Sequence, residues 1–213
     1  MSKDYVFFIT TYPARVNNLP AVIRTLKGQT IKPRDIVLTV AASQYDEMRH
    51  VLETLEGVAV EIVKKDTKVW KKFLPMMEKY CGKDGLFICV DDDKLYLPGM
   101  AEDLLKVHAK YGSPVSGNHY WHNGLKCHCG NASLVWARMF EGWRKYEHLF
   151  GSPEMPSDDM FFTMLAAENH YAYKSTDINY EKANTKYNEG TPYTQHGVVQ
   201  RTYLYAAKLF GWI

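Results

Sequence analysis

Long apolar runs, charge of one sign and a cysteine framework are all scarce in this sequence. Its unbroken apolar runs reach only about five residues, far short of the roughly 18 that a membrane-spanning helix needs. The 26 Lys and Arg nearly balance the 24 Asp and Glu, for a formal net charge of +2. A dedicated nucleic-acid binder normally carries a strong basic excess, so no nucleic-acid partner is expected. Four cysteines (Cys81, Cys89, Cys127 and Cys129) in 213 residues do not make a secreted disulfide scaffold. No repeat, low-complexity stretch or linker divides the chain, and Met1 to Tyr5 lacks signal-peptide architecture. The expected location is cytoplasmic, peripheral at most at the inner membrane face.

What is present suits one compact globular domain, residues 1–213, with an ordinary apolar fraction of 46%. Its first half alternates strand and helix signals. Tyr5 to Thr11, Asp35 to Ala41, Val58 to Val63 and Leu86 to Val90 read as strands. Leu19 to Lys27, Gln44 to Leu55, Lys68 to Tyr80 and Pro98 to Tyr111 read as helices, with Pro75 kinking or restarting the third. That order predicts βαβ units and a mostly parallel sheet flanked by helices. In such sheets ligands sit at the carboxyl ends of the strands. The second half is less regular: Ala132 to Trp136 and Tyr171 to Lys174 read as strands, Arg138 to Phe150 and Met160 to Asn169 as helices.

Asp91-Asp92-Asp93 follows the fourth strand directly. Like charges this crowded repel unless something cationic neutralises them. In an extended segment Asp91 and Asp93 share a face and Asp92 points the other way. Two oxygen ligands on one face suit magnesium or manganese, which bind substrate phosphates and water in their remaining positions. A solvated acidic turn before the next helix is the competing reading; the strand-end position favours the metal. Asp158-Asp159 precedes the apolar run Met160-Phe161-Phe162 and reads equally as a helix N-cap or as a general base facing a cleft.

The loop Thr10-Thr11-Tyr12-Pro13-Ala14-Arg15 offers hydroxyls, a ring and a guanidinium for a nucleotide, or is merely a turn with a surface charge. Lys64, Lys65, Lys68, Lys71 and Lys72 form a basic patch, and Lys68 and Lys72 lie four apart on one helical side, suited to a diphosphate. His119, His122, Cys127, His128 and Cys129 have no zinc-site spacing, and a loop lining an acceptor pocket fits them better. His196 stands alone. Val198 to Ile213 suits core packing or a subunit contact better than an interfacial membrane helix, so an oligomer stays open.

Five blocks, in this order, resemble bacterial GT-A-fold glycosyltransferases of the family 2-like kind. They are Ile9-Thr10-Thr11-Tyr12-Pro13-Ala14-Arg15; Leu26-Lys27-Gly28-Gln29-Thr30 with Pro33 and Ile36-Val37-Leu38; Lys71-Lys72-Phe73-Leu74-Pro75; Val90-Asp91-Asp92-Asp93-Lys94-Leu95-Tyr96-Leu97-Pro98; and Pro156-Ser157-Asp158-Asp159-Met160-Phe161-Phe162. The resemblance implies a GT-A (Rossmann-like) α/β fold, with a nucleotide-sugar-binding half over 1–112 and an acceptor-binding half over 113–213. It implies that Asp91 and Asp93 form the DxD motif, Asp93 coordinating manganese or magnesium most directly, with His196 as the candidate late histidine on the metal. It places the loop with Thr10, Thr11, Tyr12 and Arg15 beside the nucleotide and Lys72 at the donor, and makes Asp159, beside Asp158, the catalytic base. The spacing adds Lys68 to the donor side, and the facing of Asp92 makes it, with Asp91, a donor contact.

The implied activity is inverting transfer of a sugar from a nucleotide-diphosphate sugar, a UDP-sugar first, to a hydroxyl of a glycan or lipid-linked acceptor. Two features depart from the family. Thr39-Val40-Ala41-Ala42-Ser43 lacks the acidic residue that often contacts the base, and nothing after about residue 170 aligns. Two other readings stand beside transfer: a catalytically degenerate nucleotide-binding module, and a sugar nucleotidyltransferase. The second usually carries a Gly-rich, Lys/Arg-bearing loop after the first strand, and Thr11 to Asn17 contains no glycine.

Overall fold

The structure, a computed structural model, describes residues 4–81, 83–117, 120–122, 125–127, 132–152, 158–176 and 180–182. Strands are β1 (Tyr5–Thr10), β2 (Asp35–Ala41), β3 (Ala59–Val63), β4 (Leu86–Val90), β5 (Lys94–Tyr96), β6 (Val115–Ser116), β7 (Tyr120–His122), β8 (Leu125–Cys127), β9 (Ala132–Trp136), β10 (Lys174–Ser175) and β11 (Tyr180–Lys182). Helices are α1 (Leu19–Lys27), α2 (Ala42–Leu52), α3 (Leu74–Tyr80), α4 (Met100–Tyr111) and α5 (Asp159–Glu168).

Strand β1 is aromatic and β-branched with no polar face, which suits the middle of a sheet covered on both sides. It pairs in parallel with β2 on one edge and β4 on the other. The full order is β10-β6-β9-β4-β1-β2-β3, and β9 alone runs antiparallel to its neighbours, β4 and β6. Strand β6 reaches β9 through the β7–β8 hairpin rather than a crossover helix, and a strand returned that way comes back antiparallel. The mostly parallel α/β sheet expected from the sequence is therefore present, with one reversed strand that the pattern did not foretell.

Alternation along β1 builds two cores. Tyr5, Phe7 and Ile9 pack with Val22, Ile23 and Leu26 of α1 and Leu104 of α4. Val6 and Phe8 face Trp70, Phe73, Phe87 and the aromatics of α5. On this second side Trp70 is wholly buried. It stacks on Phe150 at 4.3 Å and 9°, with Phe161 edge-on at 5.2 Å. Burial of rings this large, in stacked and edge-on contact, is a dominant packing term. Gln29, also fully buried, joins the end of α1 to the start of α4. Its amide donates to Thr25 O and Leu97 O and accepts from Ala101 N.

Two expected helices take another form. Lys68–Lys72 is a 3-10 turn, and α3 begins afresh at Leu74 with Pro75 in its first turn, where a missing N–H costs nothing. The helix expected over Arg138 to Phe150 is two 3-10 segments, Ala137–Phe140 and Trp143–Leu149. Gly142 between them sits at φ +74°, a left-handed conformation no helix continues through. His119, His128, Cys129, His196 and the segment 198–213 lie outside the described residues. Among the described residues no helix is long and apolar enough to cross a membrane.

Replacing Trp70 by alanine leaves the largest of these rings' spaces empty. Trp70→Ala is expected to cost about 3–5 kcal/mol, read as an earlier urea midpoint. A loss below about 1 kcal/mol would show that the aromatic layer does not hold this side of the sheet.

Candidate active site

Sheet order runs from β1 outward to β3 on one side and restarts at β4 on the other. The carboxyl ends of β1 and β4 therefore lie side by side at the switch point, where open α/β sheets form their ligand crevice. Thr11 follows β1 and Asp91-Asp92-Asp93 follows β4.

The chain is not extended beyond Val90: Asp92 and Asp93 form a turn, and the three carboxylates spread around it rather than alternating as strand residues would. Asp92 turns toward the β1 loop, where it accepts from Thr11 Oγ1 at 2.7 Å and from Arg15 at 2.9 Å. It is buried. Burial pushes its carboxyl up, against the opposing pull of Arg15 and Thr11. Asp91 turns the other way, to Lys72 Nζ at 3.3 Å and Lys94 Nζ at 3.0 Å. Its backbone N–H donates to the Tyr96 hydroxyl at 2.9 Å. Burial would raise the Asp91 carboxyl, but Lys72 and Lys94 outweigh it and hold it at about 2. Asp93 meets Lys94 at 3.0 Å and Arg15 at 3.4 Å.

The second acidic segment arrives from across the chain. Asp158 sits at the N-cap of α5 but makes no side-chain capping bond. Its carboxylate is buried 3.5 Å from Lys72, so one ammonium ties Asp91 to Asp158. Burial alone would lower Lys72, but Asp158 and Asp91 keep it protonated well above its ordinary range. Asp159, half-buried at the first turn of α5, has its carboxyl raised well above the usual range, by burial first and then by Asp158 and Asp91. Fully ionised, these five aspartates would face the three paired cations Arg15, Lys72 and Lys94 with an excess of two negative charges.

Of the other residues singled out from sequence, Thr10 donates to Thr39 O at 2.7 Å and ties β1 to β2. The Tyr12 ring lies 5.5 Å under the Arg15 guanidinium. Lys68 does not join the cluster. Its backbone is left-handed at φ +58°, its side chain is 66% exposed, and Asp66 holds both its N–H and its ammonium. The helical face that would have aligned it with Lys72 is absent because the turn is 3-10. Lys94 and Tyr96 are the site residues that pattern reading passed over. The available signal was a lysine immediately after three aspartates. Among the described residues, no three His, Cys, Asp or Glu side chains are arranged to hold a metal ion.

No protein-family model and no curated protein matches the sequence. Solved structures do. The chain is similar to a mannosyltransferase from Pyrobaculum calidifontis in complex with GDP-Man and Mn2+, at 14% identity and TM-score 0.58, over 82% of this chain and 55% of that one. It is similar to TarS 1–349 from S. aureus in complex with UDP-GlcNAc, at 11% identity and TM-score 0.58, over 96% of this chain and 66% of that one. It is also similar to a 4-diphosphocytidyl-2C-methyl-D-erythritol synthase from Anaerococcus prevotii, at 11% identity and TM-score 0.54, over 95% and 96% of the two chains. These likenesses establish the GT-A, Rossmann-like α/β fold. The chain spans only 55% of the mannosyltransferase and 66% of TarS 1–349.

A carboxyl raised by folding binds its proton more tightly in the folded chain, so its contribution to stability falls as pH rises from about 3.9 through the raised value. At pH 7, above the unfolded value, Asp159 therefore contributes less stability than it does in acid. Asp159→Asn is expected to raise the melting temperature at pH 7 by about 2–4 °C. A lower melting temperature would show that Asp159 is not under this electrostatic pressure.

Proposed function

We propose that the chain transfers a sugar from a nucleotide-diphosphate donor, with a divalent cation, to an acceptor hydroxyl. One observation carries the reading: the acidic segment after β4 and the acidic start of α5, far apart in sequence, converge at the switch point through Lys72. The fold is shared with structures whose names record GDP-Man with Mn2+, and UDP-GlcNAc.

The donor chemistry of the site fits manganese or magnesium. Asp91 and Asp93 are hard oxygen ligands already gathered around one cationic group, the Lys94 ammonium. Two carboxylates leave the remaining positions to water and diphosphate, as these ions prefer. Bound there, the cation would stabilise negative charge on the leaving diphosphate. With its carboxylates outnumbering its cations, the cluster favours an added positive charge.

The protein's own groups divide the remaining work. Thr10, Thr11, Tyr12 and Arg15 flank the donor from the β1 side. Lys72 faces it from beneath, fixed by Asp91 and Asp158. In the inverting reaction the acceptor oxygen forms a bond to the anomeric carbon as the bond to the diphosphate oxygen breaks. The electron pair leaves on the diphosphate, and the hydroxyl proton passes to Asp159. A carboxyl with raised proton affinity suits that role better than an ordinary aspartate. In this reading residues 1–112 bind the donor and 113–213 shape the acceptor side, where the acceptor is a glycan or a lipid-linked sugar. A late histidine, His196, would complete the cation's ligands.

Nucleotidyl transfer is the second reading, because the synthase from Anaerococcus is matched over nearly its whole length. Against it, the segment after β1 is a glycine-free 3-10 turn, Pro13–Asn18, rather than a Gly-rich loop. The products separate the two: sugar transfer releases a nucleoside diphosphate, nucleotidyl transfer releases pyrophosphate.

A screen of UDP- and GDP-sugars with manganese is expected to give metal-dependent nucleoside diphosphate release. Asp93→Ala should lose release and manganese binding together. Asp159→Asn should lose about 10²–10⁴-fold in turnover while calorimetry still finds the nucleotide bound. Near-normal turnover in Asp159→Asn would remove it as base. The acid limb of kcat/KM should lie well above about pH 3.9, since the base form appears only as pH rises through the raised value.

A further inference from the structure

Lys94 begins β5 and directly follows the aspartates. Its ammonium stands 3.0 Å from Asp91 Oδ2 and 3.0 Å from Asp93 Oδ1, with 13% of the side chain exposed. It occupies the position that a cation shared by these two carboxylates would take. Its backbone is fastened from several sides. β5 pairs antiparallel with β11, with Lys94 opposite Lys182. Tyr96 N–H donates to Thr25 Oγ1, and the Tyr96 hydroxyl accepts from Asp91 N. The strand's position therefore does not depend on the ammonium's ion pairs alone.

The other two cations are placed differently. Lys72 shares Asp91 but also holds Asp158, and Arg15 reaches Asp93 but is hydrogen-bonded to Asp92. Each keeps a carboxylate that is not a proposed metal ligand. Both carboxylates bridged by Lys94 are proposed ligands.

We propose that Lys94 is an internal counter-cation that competes with the divalent ion for Asp91 and Asp93, so that the ion binds well only together with a nucleoside diphosphate. This rests on the metal reading given above. Without nucleotide, an incoming dication displaces an ammonium and then faces it across a short gap, and like charges at that range repel strongly away from bulk water. With a diphosphate present, the displaced ammonium has phosphate oxygens to pair with, and the repulsion is answered. Metal and nucleotide then favour each other by the same factor, since such coupling is reciprocal.

The test is a manganese titration of the full chain, read by the electron paramagnetic resonance of free Mn2+, without nucleotide and with UDP or GDP. Wild-type protein is expected to bind Mn2+ alone weakly and to gain about tenfold or more with a nucleoside diphosphate. Lys94→Met should bind Mn2+ alone about tenfold tighter than wild type and gain little more from nucleotide. Lys94→Arg, which keeps the charge, should stay near wild type. Lys94→Gln serves as the second neutral variant, and circular dichroism confirms that each variant is folded. Equal Mn2+ affinity in wild type and both neutral variants overturns the competition; if Asp93→Ala still abolishes binding, the metal reading itself stands. Absence of Mn2+ binding in every protein, with and without UDP or GDP, overturns both.

Discussion

Lys72 holds two distant parts of the chain on one buried ammonium. It comes from the 3-10 turn before α3 and meets Asp91 at the end of β4 and Asp158 at the start of α5. A buried cation with a single carboxylate would be poorly compensated, and a buried carboxylate pair without the cation would repel. The three groups are stable together and costly apart. The turn that carries Lys72 also carries Trp70, whose ring is clamped between Phe150 and the Phe161–Phe162 pair of α5. Packing of aromatics thus sets the distance between the two acidic segments, and electrostatics sets their protonation.

Around this pivot the aspartates acquire different characters without differing in chemistry. Asp91, between two ammonium groups, is held ionised far below neutrality. Asp159, beside Asp158 and Asp91 in a half-buried position, prefers its proton. Asp92 has become a fastener, joining the end of β4 to the β1 loop through Thr11 and Arg15. Environments that push the proton affinities of neighbouring carboxyls apart are how a site obtains a fixed anion and a proton acceptor from one residue type. Five carboxylates placed together carry an electrostatic strain that nothing in the fold's architecture requires, and such strain is characteristic of functional sites.

The fold was largely legible because its signals are local. The helix over Leu19–Lys27, the strand over Ala132–Trp136 and the restart at Pro75 each follow from residues within a turn or two. Misreadings arose where the decisive partner is remote or conformationally subtle. Lys68 and Lys72 have helical spacing, but the 3-10 turn and the capture of Lys68 by Asp66 separate them. Arg138 to Phe150 has helical composition, yet a left-handed Gly142 divides it. The place of Lys94 is set by the turn at Asp92-Asp93, which folds its ammonium back onto Asp91 as well as Asp93. Arg15 meets Asp92 and Asp93 across the site, a pairing that spacing along the chain does not show.

The sequence by itself determined the alternation of strand and helix, the buried fourth strand and the acidic triplet at its end, since hydrophobic period and side-chain alternation act over a few residues. Only the tertiary structure decided which charges meet. The reversed β9, the convergence of α5 on β4, the sharing of Lys72 and the seat of Lys94 between two aspartates are contacts between residues that lie far apart in sequence or depend on how the backbone turns. Coulomb energy depends on distance in space and on burial, and neither is written in the spacing of residues along the chain.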